Sequence, residues 1–532
     1  MRRSPLSLLV LLLTMSPATA QPVPDSLQSD SVEASDSIER VLDDRISDTQ
    51  ASDQAAEILT RLANNPLDLN RASAPDLSTI PALSPPLAQR IIRRRAEEGP
   101  FASVNELETI EGMDDSRLRA IRPYVTAGAP EPTSTDEKRP YPSIPSLETV
   151  LNDLDVEVIQ RATRDLDPGR GYAQDSSRTT FEGPPGRLTT RFRIGHARRL
   201  QVALTVDKDP GEPLRWAPQE DTYGFDHVAG NLTLRDWHRL ETLIIGDFTA
   251  QYGQGVALWQ GLTFGKGRSP VSPLVRSGRG LVPFQSTSEN RFFRGVAASV
   301  AITPTLSVSG FYSHRQRDAT LDSSAVDGNE GGPIPARTLS TGGRHRTASE
   351  IQRKGAFGKT TVGGALTYDT PRLRVGVTGH QSRFERPLRP PADQPYQRYD
   401  VSGTQTGMAS VFASAYLNEY TLFGEVARND DGAYGAVAGA TLDHNAGVQA
   451  ILMARRFARD FSGLYNSAVG ESGDPQNEMG FYTGLRLRLS ERWRIGAYVD
   501  QYRFPWLRFG VPRPSRGIDT RLVVEYDPRP WL

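Results

Sequence analysis

The sequence predicts a mainly β protein, an antiparallel transmembrane barrel of about sixteen strands behind a small N-terminal all-α domain. Three observations predict it. Segments beyond residue 150 alternate apolar and polar side chains with a period of two. The connections between them alternate short and long. The segments run about nine to thirteen residues, beyond the roughly 5–6 of soluble strands and about what a tilted strand needs to cross a bilayer.

Taken from the N-terminus, Arg2 and Arg3 precede the apolar run Leu6 to Leu13, and Ala18-Thr19-Ala20 follows it. That pattern predicts a signal peptide over 1–20, removed after Ala20. The run is too short to cross a bilayer as a helix, so no transmembrane helix is expected in the mature chain. The 532 residues include no cysteine. That excludes disulfides, thiol catalysis, cysteine-ligated zinc and iron–sulfur centres, and a lipidated N-terminal cysteine. A net charge of −1 provides no global basic field to draw in nucleic acid.

Residues 21–63 read as a flexible lead-in rich in Ser, Asp and Pro, followed by an amphipathic helix carrying Ile38, Val41, Leu42, Ile46, Ile58, Leu59 and Leu62. Residues 64–127 read as a compact helical domain. Residues 128–150, proline-rich up to Pro145, read as a linker. Residues 151–532 form the barrel.

Within the barrel, Leu188, Thr190, Phe192 and Ile194 alternate with Arg187, Thr189, Arg191 and Arg193, and Leu485, Leu487 and Leu489 with Arg486 and Arg488. Short turns are expected near His196-Ala197, Asp236-Trp237, Thr303-Pro304, Asp369-Thr370, Leu417-Asn418, Asp443-His444 and Ser490-Glu491. Long connections are expected at 207–225, 249–290, 318–357, 384–407 and 458–476. Short turns at one end and long loops at the other mark an outer-membrane barrel, whose first partner is membrane lipid. If the short turns are periplasmic, so is the helical domain. The last strand, Arg516 to Tyr526, should close against Leu154–Arg164. Asp527-Pro-Arg-Pro then reads as a turn and Trp531-Leu532 as a strand start, so closure at sixteen and a further C-terminal hairpin both stand open.

In the helical domain, Ser73 is placed to cap a helix containing Leu77, and a second helix runs from Pro85 to about Glu97. The hairpin between them is Ile80-Pro81-Ala82-Leu83-Ser84. Ser103 with Glu106 makes a capping box, and Ile110-Glu111-Gly112-Met113-Asp114 forms a second hairpin ahead of a helix through Leu118 and Ile121. In order and spacing this segment resembles the double helix-hairpin-helix domain of ComEA-like competence proteins. The resemblance implies hairpins of the form Leu-Pro-Gly-Ile-Gly, whose glycines let backbone N–H groups approach a DNA phosphate at a helix N-terminus.

Here Ala82 and Ser84 replace both glycines of the first hairpin, and Asp114 replaces the second glycine of the other. Eight Arg face nine Asp or Glu over 64–127, a net of −1. DNA is therefore disfavoured as a partner, and a docking or structural use of the hairpins is preferred, with a periplasmic protein as the partner. The basic face Arg90, Arg93, Arg94 and Arg95 reads as a solvated helix face near a helix C-terminus.

The stretch Ile245 to Gly267 interleaves six glycines with Phe248, Tyr252, Trp259 and Phe264. With Arg291-Phe-Phe-Arg-Gly-Val, it resembles a family of uncharacterised bacterial outer-membrane barrels that carry this hairpin domain. The resemblance implies an architecture and no activity. Asp247, Phe248, Tyr252, Gly253, Gly255, Trp259 and Phe264 suit a loop packed closely on strands. An inward-folded plug and a packed loop at the extracellular mouth both fit.

No catalytic pattern appears. His196, His227, His238, His314, His345, His380 and His444 are scattered, with no H-E-x-x-H and no G-x-S-x-G elbow. Asp430-Asp431-Gly432 reads as a hairpin turn. No enzyme activity, cofactor or metal is expected. Arg187, Arg191, Arg193, Arg486, Arg488 and Arg521 are expected in the lumen, balanced by Glu241, Asp247, Glu425 and Glu525. The function expected is a non-enzymatic outer-membrane barrel in passage or surface assembly, with the hairpin domain as a docking or gating module. A DNA-uptake protein is the alternative.

Overall fold

The computed structural model describes residues 58–128 and 154–526, apart from Arg61, Asn64, Pro81, Pro168, 174–178, 197–198, 218–221, Leu262, Phe264, Arg268, 272–273, 323–332, 445–446 and Glu491. The signal peptide, the lead-in, most of the linker and the positions after Tyr526 lie outside the described residues. So do Pro81 of the first hairpin and Phe264 of the glycine-rich loop.

In the helical domain, Leu67–Asp68 pairs in parallel with Val125–Thr126 and ties the two ends together. Helix α1 (Ala74–Leu77) starts at Ser73, whose hydroxyl accepts from the Asp76 amide at 3.2 Å. Helix α2 (Pro85–Glu98) opens on two prolines behind Ser84, and α3 (Asp115–Ile121) is capped by Asp114. Between α2 and α3, the Ser103–Glu106 capping box forms as expected and starts a 3-10 turn, Val104–Thr109. Leu69, Leu77, Ile80, Leu87, Ile91, Phe101, Leu107 and Ile121 make one dry core. Each such side chain contributes about 1.5–3 kcal/mol.

Among the described residues the barrel wall has sixteen long strands. They are β1 (Asp155–Arg164), β2 (Gly186–His196), β3 (Leu200–Lys208), β4 (His227–Trp237), β5 (Leu240–Gln251), β6 (Phe293–Thr303), β7 (Leu306–Arg317) and β8 (Phe357–Asp369). Then come β9 (Leu373–Leu388), β10 (Gly403–Leu417), β11 (Tyr420–Asn429), β12 (Tyr434–His444), β13 (Val448–Phe457), β14 (Glu478–Arg488), β15 (Trp493–Phe504) and β16 (Ser515–Tyr526).

Every sequential pair from β1 to β16 is antiparallel. Strand ends flank all seven expected short turns at one end, although Ala197, 445–446 and Glu491 lie outside the described residues. At the other end β9 reaches Leu388, so the connection placed at 384–407 shrinks to 389–402. Asp236, His238 and Asn418 hold positive φ in or beside the short turns, as tight hairpins demand. The strand order is that of a closed barrel with β16 beside β1. Along that seam the described residues show no residue-by-residue register, and both strands are largely exposed.

The distribution of side chains is inside-out. Leu204, Leu232, Val296, Leu366, Val377, Val411, Val426 and Leu452 are exposed on the outer face, while Thr205, Asn231, Thr361, Ser410, Glu425, Thr441, Arg455 and Asp500 are buried on the inner. Tyr368, Tyr420, Trp493 and Tyr526 ring the short-turn end, and Tyr312, Tyr434 and Phe481 lie toward the other. A wall built this way faces lipid. Among the described residues no helix is long and apolar enough to cross a membrane.

Candidate functional site

Strand β5 parts from β6 after Phe248 and from β4 at Gly246, where φ is +111° and the Gly230 carbonyl fills the place of a side chain. Only glycine tolerates both. The chain then turns into the lumen, and every residue from Asp247 to Gly261 is buried. The glycine-rich loop is thus an inward plug, and its reading as a loop at the mouth does not hold.

Glu425 on β11 organises the plug. Its carboxylate accepts from the amides of Gln254 (2.6 Å), Val256 (3.0 Å) and Ala257 (3.1 Å) and from the Ser410 hydroxyl (2.7 Å). Gly253 and Gly255, both at positive φ, make room for this turn against Glu425 and Arg276. Val256, Ala257, Val271, Leu274 and Val275 pack on Phe423, Val437, Ile451, Met453 and Tyr482 of the wall. On the other side, Phe248, Tyr252 and Leu258 pack with Phe293, Phe311 and Phe412. Trp259 donates its amide to the Tyr465 carbonyl at 2.8 Å, and Lys266 pairs with Asp500 at 2.8 Å and with Asp519 at 3.0 Å.

The plug ends against the helical domain. Arg279, one residue before a short stretch that pairs back onto β5, bonds Asp76 at 3.1 Å. Around it, the hairpins dock on the short turns. Ser84 donates to Asp443 at 3.1 Å, and Arg117 pairs with the same carboxylate at 3.7 Å. Arg90 reaches the carbonyls of Glu111 (2.8 Å), Asn418 (3.2 Å) and Asp443 (3.1 Å), and Gln89 bonds the Tyr416 hydroxyl. Asp114 caps α3 and pairs with Arg488 at 2.7 Å. Ser84 and Asp114, the departures from the DNA-binding pattern, are therefore docking residues. Asp443 presents to the hairpins the carboxylate counterpart of a phosphate.

The remaining predicted residues fall as follows. Ile80, Leu83 and Ile110 are buried in the domain core, with Ala82 and Met113 packed on its rim. The carbonyls of Glu111 and Gly112 accept from Arg90 and Arg117. The solvated-face reading of α2 is corrected: Arg90 is only 4% exposed, Arg94 pairs with Glu98 and Glu106, and Arg95 caps the carbonyls of Leu69 and Ala72. Each guanidinium is held because it satisfies carboxylates or orphan carbonyls. Arg93 is half-buried.

The expected lumen pairings are also redrawn. Arg187 pairs with Asp207 and Arg193 with Glu157, while Glu525 takes Arg494, Asp247 takes Arg294, and Glu241 accepts from Ser299 and Ser307. Adjacent-strand register decides these partners, and the sequence alone does not give it.

One cluster escaped the sequence reading. His345 sits among the long loops, bonded through Nδ1 to Asp226 (2.5 Å) and through Nε2 to Asp318 (2.9 Å), with Glu212, Glu289 and Lys354 beside it. Its two triads, Glu212–Asp226–His345 and Glu289–Asp318–His345, bring donor atoms within 4.8 Å of one another, as a metal ion would need. A doubly bonded imidazolium accounts for the same geometry. Burial opposes its charge, but Asp226 and Asp318 push His345 up to about 10. Burial, with Asp226 nearby, pushes Glu212 up to about 7 and Glu289 up to about 9. Its members come from three separate loops, between β3 and β4, β5 and β6, and β7 and β8, so no local motif announces it.

A family model described as a helix-hairpin-helix motif matches residues 63–126. Mouse and human endonuclease/exonuclease/phosphatase family domain-containing protein 1 are each 32% identical over 117 residues, covering 20% of this chain and 21% of theirs. The chain thus spans about a fifth of the length of the curated relatives it matches. Among solved structures, an anion-selective porin from Comamonas acidovorans is 11% identical with a TM-score of 0.31, covering 70% of this chain and 98% of the porin. Wzi, a carbohydrate-binding barrel involved in capsule assembly in Escherichia coli, is 13% identical with a TM-score of 0.33, covering 70% and 77%. Likeness at that level carries no argument about this chain. The barrel rests on its own strand pairing, and its union with a hairpin domain on the two regions together.

Proposed function

We propose that the protein is a non-enzymatic outer-membrane barrel, closed at rest, whose periplasmic helix-hairpin-helix domain acts as a lid on a lumen already filled by its own loop. The lipid-facing wall with its aromatic rings supports the membrane location. Short turns face the periplasm in such barrels, which puts the docked domain there. One observation carries the gating reading: the plug runs from Gly246 to an ion pair between Arg279 and Asp76 of the lid. Displacing either element therefore disturbs the other. DNA uptake through free hairpins is disfavoured, since Ser84, Arg90, Asp114 and Arg117 are engaged by the barrel.

The test is conductance in planar bilayers. The intact mature protein should be nearly silent. Removal of residues 21–145, or Glu425→Ala, which leaves three buried plug amides without their acceptor, should open measurable channels. Large, steady conductance by the intact protein would sink the closed-lumen reading. Silence of both variants would sink the gating reading.

A further inference from the structure

On the inner face of β7, β8 and β9 the structure gathers cations with which, among the described residues, no carboxylate pairs. Arg315 stands directly opposite Lys359, and Arg317 lies one inward position further along β7. Like charges directly opposite each other destabilise a sheet. Lys359 is 95% buried, the complement of its 5% exposure. Among the described residues its ammonium has no ion pair or hydrogen bond; its contact is the Tyr465 ring, 4.5 Å away. Its charged neighbours are Arg317 and Arg315, and the neighbour of buried His380 is Lys359 itself. Arg317 Nη2 donates to the neutral Asn290 Oδ1 (3.2 Å) and Ser340 carbonyl (2.9 Å), while Arg317 Nε and His380 Nδ1 are buried with no partner among the described residues.

The nearest carboxylates are already engaged. Asp247, near Arg315, holds Arg294 at 2.7 Å, and Asp318, near Arg317, holds His345 at 2.9 Å. Arg315 stacks on Phe292 and donates to backbone carbonyls, which bring no charge. Burying cations this way is costly unless a counter-charge joins them.

We infer that Lys359, Arg317, Arg315 and His380 form a binding site for a dianionic tetrahedral oxyanion, either a free ion or the phosphate group of a larger solute. The donors come from three strands, with Lys359 and His380 both against the Tyr465 ring, rather than from one plane, which suits a tetrahedral group better than a carboxylate. The hydroxyls of Thr361, Ser382 and Tyr465, linked at 2.8 and 2.9 Å, border His380 and add polar partners of either sense. The inference stands apart from the gating reading, because the wall strands and not the lid or the plug's ends supply the cations.

The test measures binding of radiolabelled inorganic phosphate to the intact detergent-solubilised protein, together with its melting temperature in phosphate, acetate or chloride at matched ionic strength. Phosphate should bind at about one site and raise Tm, and acetate should do so far less. Lys359→Met should weaken binding by roughly tenfold or more, the loss of one charge-assisted partner. The same variant should melt higher than wild type in chloride, since an uncompensated charge is gone. Arg317→Gln should weaken binding in the same sense and decides the matter if Lys359→Met does not fold. Glycerol 3-phosphate separates the sources: tighter binding than phosphate assigns a larger solute, and equal or weaker binding assigns the free ion. No saturable phosphate binding by the wild type, binding untouched by either substitution, or an equal response to acetate would overturn the site.

Discussion

Two basic clusters in this chain meet opposite fates. At the hairpin seam, Arg90, Arg117 and Ser84 converge on the turn carrying Asp443 and find a carboxylate and carbonyls supplied by the same polypeptide. On the inner wall, Lys359, Arg315 and Arg317 face one another, and among the described residues no carboxylate pairs with them. The seam is a closed contact, complete within the fold. The wall patch is a half-contact whose other half must come from solution. Counting charges separates neither case, because the helical domain is slightly acidic and the whole chain nearly neutral. What differs is where the third dimension places the counter-charge.

The sharpest way to break this comparison is to make the seam resemble the wall. Asp443→Lys adds a cation among Ser84, Arg90 and Arg117 and removes the carboxylate they share. It should cost docking about 3–5 kcal/mol, the order seen when one partner of a buried pair is removed. Hydrogen exchange over 85–95 should rise sharply while exchange over 433–444 rises little. Undocking should still not yield a strong DNA binder, because the domain keeps its net of −1 and its Asp114. A dissociation constant for duplex DNA far tighter than the roughly 10⁻⁴–10⁻⁶ M of non-specific binders near 0.15 M salt would show that docking conceals a working DNA site.

Much of the barrel was legible because strand period and turn chemistry are local. The seven short turns, the capping box at Ser103 and Glu106, and the helix from Pro85 follow from neighbours a few residues apart. The contacts that make the molecule functional are not local. Ser84 and Asp443 are 359 positions apart, and Gln254 and Glu425 are 171 apart. The glycine-rich loop announced close packing, yet inward and outward folding satisfy glycine and aromatics equally until Glu425 and the wall are placed. The oxyanion patch was half-visible: Arg315, Arg317, Lys359 and His380 all sit at lumen-facing positions, but only the register sets Arg315 against Lys359.

A smaller effect sharpens the contrast from the side of acid. Around His345 the imbalance is reversed, with carboxylates outnumbering cations in the loops. His345, raised from 6.5 to about 10, contributes stability fully present below its ordinary value and lost as pH rises through 10. Glu212 and Glu289, raised to about 7 and about 9, favour the folded loops while protonated, and that advantage fades from about 4.5 upward. All three signs agree. Exchange of loop amides at 209–212 and 343–347 should speed up between neutral pH and pH 10 beyond the intrinsic base-catalysed rate, and His345→Gln should flatten the steepest part of that rise. Loops that tighten with rising pH would mean that a bound cation, and not the imidazolium, neutralises the carboxylates.

The smallest effect comes from a single hydroxyl. Ser84 does two things at once: its oxygen caps α2, accepting from the Leu87 amide at 3.4 Å, and its proton goes to Asp443 at 3.1 Å. Ser84→Gly removes the bond to Asp443, while glycine remains an acceptable cap costing only about a few tenths of a kcal/mol. The loss should therefore be about 1 kcal/mol, the net worth of one hydrogen bond. Ser84→Ala removes the bond and the cap together and should lose about 1 kcal/mol more. The two variants thus separate docking from helix capping at one position, read by hydrogen exchange of the 85–95 amides in the intact protein. Equal losses would mean that the cap contributes nothing, and no loss in the glycine variant would mean that the Asp443 bond contributes nothing and that Arg90 and Arg117 hold the seam alone. The glycine variant also restores the hairpin residue of the DNA-binding pattern, so unchanged DNA affinity in it would assign the difference between the two uses of this domain to the carboxylate it meets rather than to the residue it lost.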